Sequence, residues 1–187
     1  MTPLHEVIIN KKTNKNPVWI MRQAGRYLPE FRDVRKNNPN FIELCLNHKL
    51  ASEITLQPIK RFDLDAAIIF SDILMLPYGL RQKIEFKKNF GPILGNLDLA
   101  TMSKVDEVDF VEKIYPVYKA IKSVSSDMNS KNKNTIGFVG APWTLLVYMI
   151  NQQSPKKNIK KNFFEDEYLI NRILLIIEKF LKIHIKN

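Results

Sequence analysis

Apolar positions along this chain are arranged in two ways. Residues 18–21 and 66–70 are short, continuous apolar runs of strand length, and 135–139 is a third segment of that length. Such runs suit parallel strands buried on both faces. The first opens with Pro17, which a strand tolerates only at its first position or its edge. Elsewhere the apolar residues recur at helical spacing. Phe41, Leu44, Cys45 and His48, then Ile54, Leu56 and Ile59, predict two helices across 41–62, with Pro58 in the last turn or at a kink. Residues 104–124 predict a helix with Asp106 and Glu107 in its first turn, where the dipole favours acids. Pro142 suits the first turn of a helix over 143–150. Residues 166–185 carry a long apolar stripe.

The intervening stretches are polar. Residues 1–16 are rich in lysine and asparagine, with one helical turn at 7–9, and the chain turns through Gly25 and Pro29. Residues 81–93 alternate weakly through Ile84, Phe86 and Phe90 and carry Gly91-Pro92, which predicts an exposed hairpin. Residues 125–134 read as a polar loop. About three strands alternating with helices predict a parallel α/β fold. The pattern alone leaves a doubly wound sheet and a (β/α)8 barrel open. A barrel builds its site at strand C-terminal ends. Arg22 and Arg26 follow the first predicted strand, Asp72 the second, and residues 140–148 the third.

Composition narrows the class. A chain of 187 residues, 45% hydrophobic and 26% charged, has room for one ordinary globular domain. The longest apolar run, 66–76, is broken by Ser71 and Asp72 and is too short to span a bilayer. The first residues lack the basic-then-apolar layout of a signal peptide. A single cysteine, Cys45, allows neither an internal disulfide nor a cysteine metal cluster. The expected compartment is the cytoplasm, with no membrane partner. The net charge of +10 raises nucleic acid as a partner, and Lys156-Lys157 with Lys160-Lys161 form a candidate patch. The lysines are scattered among asparagines and isoleucines, however, as AT-rich coding produces. No helix-turn-helix, finger or aromatic RNA-binding pattern accompanies them, so no nucleic-acid partner is expected. The positive field favours an anionic substrate instead.

One segment carries chemistry by itself. Arg22 and Arg26 lie four residues apart, just after an apolar run and with Gly25 between them. Guanidinium forks grip carboxylates in bidentate fashion. A helix with two solvated arginines is the alternative, and Gly25 argues against it because glycine disfavours helix interiors.

The run Pro17-x-Trp19-x-Met21-Arg22-Gln23-Ala24-Gly25-Arg26 resembles the N-terminal signature of the uroporphyrinogen decarboxylase family. Gly137-Phe138-Val139-Gly140-Ala141-Pro142-Trp143-Thr144-Leu145-x-x-Tyr148 is similar to that family's other signature. Phe70-Ser71-Asp72-Ile73-Leu74, followed by Pro77-x-Gly79-Leu80, resembles its aspartate segment. The resemblance covers nearly the whole chain but only about the first half of the family's usual length. It implies a (β/α)8 TIM barrel, with residues 1–187 as a single partial domain of about three βα units. It also implies a carboxy-lyase of haem biosynthesis that removes the four acetate carboxyls of uroporphyrinogen III to give coproporphyrinogen III. No cofactor and no metal are implied, because a protonated pyrrole is itself the electron sink.

By the same resemblance Asp72 and Arg22 are the catalytic residues. Arg22, Gln23, Ala24, Gly25, Arg26, Asp72 and Tyr148 are the substrate-binding ones. The arginines would hold carboxylates, Asp72 would stabilise the pyrrole cation through its N–H groups, and Tyr148 would donate a hydrogen bond. Residues 23–25 would shape the floor with backbone groups. Duller roles stay open: Asp72 as the cap of the next helix, Tyr148 as a core aromatic, Trp143 as packing. His48 and His184 are expected to be non-catalytic. A serine and a C-terminal histidine that the family adds would fall beyond Asn187.

The family is expected to work as a homodimer. The ending at Asn187 suggests a truncated or split enzyme, which a C-terminal fragment would complete. Asn151-Gln152 depart from the signature, which normally closes with a small or acidic residue and then glycine or lysine. Two rivals remain. One is a corrinoid-linked methyltransferase of the same fold, disfavoured by the intact arginine motif. The other is a non-catalytic remnant that only pairs with other chains.

Overall fold

Asparagine caps start two of the helices in the first third of the chain. The computed structural model describes residues 2–11, 15–87, 90–154 and 165–187. They divide into two units, Met1–Ser71 with Pro116–Phe138, and Asp72–Tyr115 with Val139–Asn187. The lysine patch at 156–161 lies outside the described residues.

In the first unit, α1 (Pro3–Asn10) precedes α2 (Pro29–Asn37), which starts with proline at its first turn. The side chain of Asn40 accepts from the Ile42 and Glu43 N–H groups and starts α3 (Phe41–Leu46). Asn47 accepts from Leu50 N–H and starts α4 (His48–Phe62), which carries Pro58 inside. The predicted pair of helices is therefore present. No helix is predicted over α2, of which Phe31 alone is buried.

Strand β1 (Ala66–Ile68) pairs in parallel with β4 (Asn134–Ile136), in the register Ala66↔Asn134. Ala51, Ile59, Leu64, Ala67 and Ile69 pack with Ala120, Val124 and Met128 to form the core of this unit. Helix α7 (Glu107–Ser130), whose residues divide between the units at Pro116, runs past the predicted end at 124. Val124 and Met128, one turn apart, are both fully buried, and that packing carries the helix through a polar stretch.

Two of the three predicted strands differ from expectation. Residues 18–21 are not a strand, and Val18, Trp19, Ile20 and Met21 are 53%, 40%, 56% and 75% exposed. A single backbone bond, from Asp65 N–H to Val18 C=O, joins them to the start of β1, too few to make a ladder. Strand β4 is half-buried along its length, not buried. It pairs with β1 on one edge, and no further strand joins it among the described residues.

In the second unit, α5 (Met75–Gly79) leads to the predicted hairpin of β2 (Ile84–Lys87) and β3 (Gly91–Leu94), antiparallel, with Gly91 at φ +86°. A short α6 (Leu99–Ser103), capped by Asp98, has Met102 as its only buried residue, so the sequence pattern does not mark it. Asp106 caps α7 by accepting from Asp109 N–H, one position outside the first turn predicted for it.

Helix α8 (Pro142–Asn151) starts at Pro142 as expected. Helix α9 (Glu167–Lys186) buries the predicted stripe through Ile170, Ile173, Ile177 and Phe180. The Phe110 ring lies 4.8 Å from that of Phe180 and presses on Gly79, where a Cβ would come within 2.5 Å of the ring. No helix among the described residues is long and apolar enough to cross a membrane.

Candidate active site

The arginine motif forms an irregular turn, not a helix. Its fixed point is Gln23, 1% exposed, which donates from Nε2 to Ala66 C=O at 3.0 Å and accepts Ile20 N–H on Oε1 at 3.2 Å. The Gln23 backbone N–H reaches Ile20 C=O, its own carbonyl accepts from the Tyr27 hydroxyl, and Leu28 N–H closes the turn on Gly25 C=O. Around this knot Arg22 and Arg26 are exposed, and neither side chain bonds to a described residue. Two unneutralised guanidiniums one short turn apart are ready to receive an anion. Ala24 and Gly25 are half-buried between them. A Cβ at Gly25 would meet only the Tyr27 ring, at 3.6 Å, so the chain's own packing admits a larger residue there.

A third cation belongs to this neighbourhood and was not among the sequence candidates. Burial holds the Arg35 guanidinium below its usual range, and repulsion from Arg26 adds to the effect. Arg35 also donates to the carbonyls of Asn38 and Pro39 and lies over the Phe41 ring at 5.6 Å. It stands on α2, a helix not predicted from the sequence, nine residues beyond Arg26, so no motif marks it.

Asp72 stands in the second unit. Its Oδ1 accepts from Leu74 N–H at 2.8 Å, and its carbonyl accepts from Met75 N–H at 3.1 Å, a local turn that leads into α5, whose own N-cap is Leu74. Asp72 therefore does not fill the duller role of helix cap, and the turn uses one carboxylate oxygen only. Oδ2 takes no hydrogen bond from a described residue. The residue keeps some exposure, but its carboxyl is crowded by protein atoms. That burial raises its pKa above 3.8, opposed in part by the Leu74 bond.

The second signature meets this segment through Gly140, which is buried. A Cβ there would come within 2.8 Å of Leu145 Cδ2 and 3.2 Å of Ile73 Cβ, so glycine is what lets the loop lie against the neighbour of Asp72. Tyr148 follows on α8, half-buried, with its hydroxyl 3.3 Å from Ser154 Oγ. Trp143 is 54% exposed and so does not serve as a core packing residue.

The departure at the end of this signature also has a structural meaning. Gln152 adopts the left-handed conformation, φ 61°, at the C-terminal cap of α8, where glycine carries no penalty. Its side chain donates to Asn96 Oδ1 at 2.7 Å, and its carbonyl accepts from Leu94 N–H at 2.8 Å, tying the helix end to the hairpin.

Of the candidates, then, Arg22, Gln23, Ala24, Gly25 and Arg26 share one turn in the first unit. Asp72 and Tyr148 lie in the second. Among the described residues, no group of three or more histidine, cysteine, aspartate or glutamate side chains is placed to hold a metal ion.

Comparison with known proteins points one way. The family model described as uroporphyrinogen decarboxylase (URO-D) matches residues 1–187. The chain is 40% identical over 185 residues to a uroporphyrinogen decarboxylase of Campylobacter jejuni, covering 97% of this chain and 54% of the relative. It is 41% identical over 181 residues to that of Rickettsia felis, covering 96% and 52%. It is 44% identical over 144 residues to that of Agrobacterium fabrum, covering 76% and 42%. The chain therefore spans about half the length of the curated relatives it matches.

Proposed function

This chain belongs to the uroporphyrinogen decarboxylase family, and from that membership we propose that it supplies the arginine loop and the aspartate of an enzyme decarboxylating uroporphyrinogen III. The fold proposed with it is a (β/α)8 barrel, in which residues 1–187 form a single partial domain, the N-terminal half. The parallel β1–β4 pair and the alternation of strands with helices support that assignment. The proposed setting is the cytoplasm.

The chemistry follows from the substrate. Protonation of a pyrrole ring carbon, next to the one bearing an acetate arm, makes an iminium-like cation conjugated to that arm. The bond between the arm's methylene and its carboxylate breaks, CO2 leaves, and the electron pair neutralises the ring as an exocyclic methylene. A proton added to the methylene and one lost from the ring carbon restore the pyrrole, so hydrogen replaces CO2. Arg22 and Arg26 hold carboxylates of the substrate, and Arg22 also assists proton delivery. Arg35 adds positive potential beside them. Asp72 stabilises the cationic ring through the pyrrole N–H groups, and Tyr148 donates a hydrogen bond to a carboxylate.

The observation that carries this reading is the Asp72 carboxylate. One oxygen is fixed by Leu74 N–H, which aims the group, and the other is left for a ligand. At an effective dielectric of ~20, unit charges 4 Å apart interact by roughly 4 kcal/mol. Confined to the transition state, that is about three decades in rate.

The test mixes the purified chain with uroporphyrinogen, alone and together with a polypeptide matching the C-terminal half of a relative. Products are oxidised to porphyrins and separated by their number of carboxylates. Coproporphyrin from the mixture, reduced about a thousandfold in Asp72→Asn, is the expected result. Undiminished turnover in Asp72→Asn would remove that residue from the chemistry, and turnover by the chain alone would overturn the half-barrel assignment.

A further inference from the structure

We propose that Asp65, which the reading above leaves unassigned, is a positioning residue that anchors the arginine loop to β1 together with Gln23. Asp65 stands immediately before β1 and is 6% exposed. It grips one residue twice. Its backbone N–H donates to Val18 C=O at 2.9 Å, and its Oδ2 accepts from Val18 N–H at 2.8 Å. Its other oxygen lies 3.4 Å from Lys15 Nζ, which offsets the buried charge.

The next residue receives the second anchor, because Ala66 C=O accepts from Gln23 Nε2 while Gln23 Oε1 takes Ile20 N–H. The Gln23 amide thus stands between a strand carbonyl and a loop N–H, in the role that a rung of a ladder fills in a regular sheet. Both anchors lie within the first unit.

Hydrophobic burial does not hold this segment, since Val18 through Met21 are exposed. Polar anchors must therefore fix its path. The Arg22 and Arg26 side chains bond to no described residue, so the position of their charges follows the backbone that Asp65 and Gln23 hold. Removing the carboxylate takes away the acceptor of the part-buried Val18 N–H bond and frees the loop's entry. An ordered loop binds an anion without first losing its freedom, and a loosened one binds more weakly. The identity of that anion as a porphyrinogen rests on the function proposed above, whereas the anchor rests on the geometry alone.

The experiment compares amide hydrogen exchange in the wild-type chain, Asp65→Ala and Asp65→Asn. In Asp65→Ala the amides of Val18, Gln23 and Leu28 are expected to exchange about tenfold faster, the effect of losing one hydrogen bond to a charged acceptor. Amides of α4 and of the β1–β4 pair keep their protection. Asp65→Asn, which retains one acceptor oxygen, falls between, and it keeps the test decisive if the alanine variant fails to fold. Unchanged loop exchange overturns the proposal. So does an equal loss of protection throughout the unit, which would make Asp65 a general stabilising residue.

Binding of uroporphyrin, the stable octacarboxylate, is followed by fluorescence in the same proteins. Its affinity is expected to fall about tenfold in Asp65→Ala and to recover partly in Asp65→Asn. A loosened loop with unchanged porphyrin affinity supports the anchor and refutes the assignment of the loop to porphyrinogen binding.

Discussion

Acidification should weaken the second unit through His184, and the size of the effect follows from its surroundings. His184 lies on α9 with its ring edge-on to Phe110, centroids 6.3 Å apart at 87°. Burial lowers its pKa from 6.5 to about 4. A folded-state pKa below the unfolded one means that the unfolded chain binds more protons between those two values. Stability is therefore fully present above 6.5 and is lost as pH falls through the window to about 4. Each pKa unit corresponds to about 1.4 kcal/mol, so the loss approaches about 3 kcal/mol at the acid end. His184→Gln carries no titrating proton and removes this slope, whatever it costs in packing. Urea unfolding of both proteins at several pH values from 7.5 to 4 isolates the effect, because the other titrating groups cancel in the difference. The two stability curves should converge as pH falls. Parallel curves would refute the reasoning and show that the His184 site accepts a proton without penalty.

Three further outcomes follow from single contacts. Asp72→Asn keeps an acceptor for Leu74 N–H and removes a buried charge, so at neutral pH the variant should unfold no more easily than wild type. The raised Asp72 pKa means that its contribution to stability falls as pH rises from 3.8 through the folded value, so any advantage of the variant should shrink on acidification. Gly140→Ala places a Cβ within 2.9 Å of Leu145 Cγ and 3.2 Å of Ile73 Cβ, which should cost about 1–3 kcal/mol. A second change, Leu145→Ala, should return part of that loss, and a simple sum of the two effects by thermal unfolding would argue against the clash. Gln152→Ala loses the bond to Asn96 and keeps the left-handed strain, whereas Gln152→Gly loses both. The glycine variant should therefore be the more stable of the two by about 1 kcal/mol, and the reverse order in their melting temperatures would dismiss the strain.

What the chain discloses in sequence is what depends on near neighbours. The stripe of α9 and the proline start of α8 are local, and spacing places them correctly, whereas His48, whose spacing groups it with Phe41, Leu44 and Cys45, instead opens α4 behind the Asn47 cap. Errors arise where packing decides. Residues 125–130 look like loop, yet Met128 is buried against α4 and β1 elements of its unit and holds α7 helical. Residues 18–21 look like a buried strand because they are apolar, but burial belongs to whatever covers a segment, and here they are exposed.

The candidate site divides in the same way. The residue types of the arginine motif and of Asp72 stand in the sequence, while the means of holding them do not. Asp65 reaches Val18 across 47 positions and Gln23 reaches Ala66 across 43, without any periodic signal to mark either pair. Gln23 illustrates the point. Its place inside the motif suggests a ligand contact, but its side chain is committed to the backbone on both sides, with Nε2 on Ala66 and Oε1 on Ile20. A leucine of similar size would leave both of those backbone groups unpaired, so the glutamine's value to the site lies in where it puts Arg22 and Arg26.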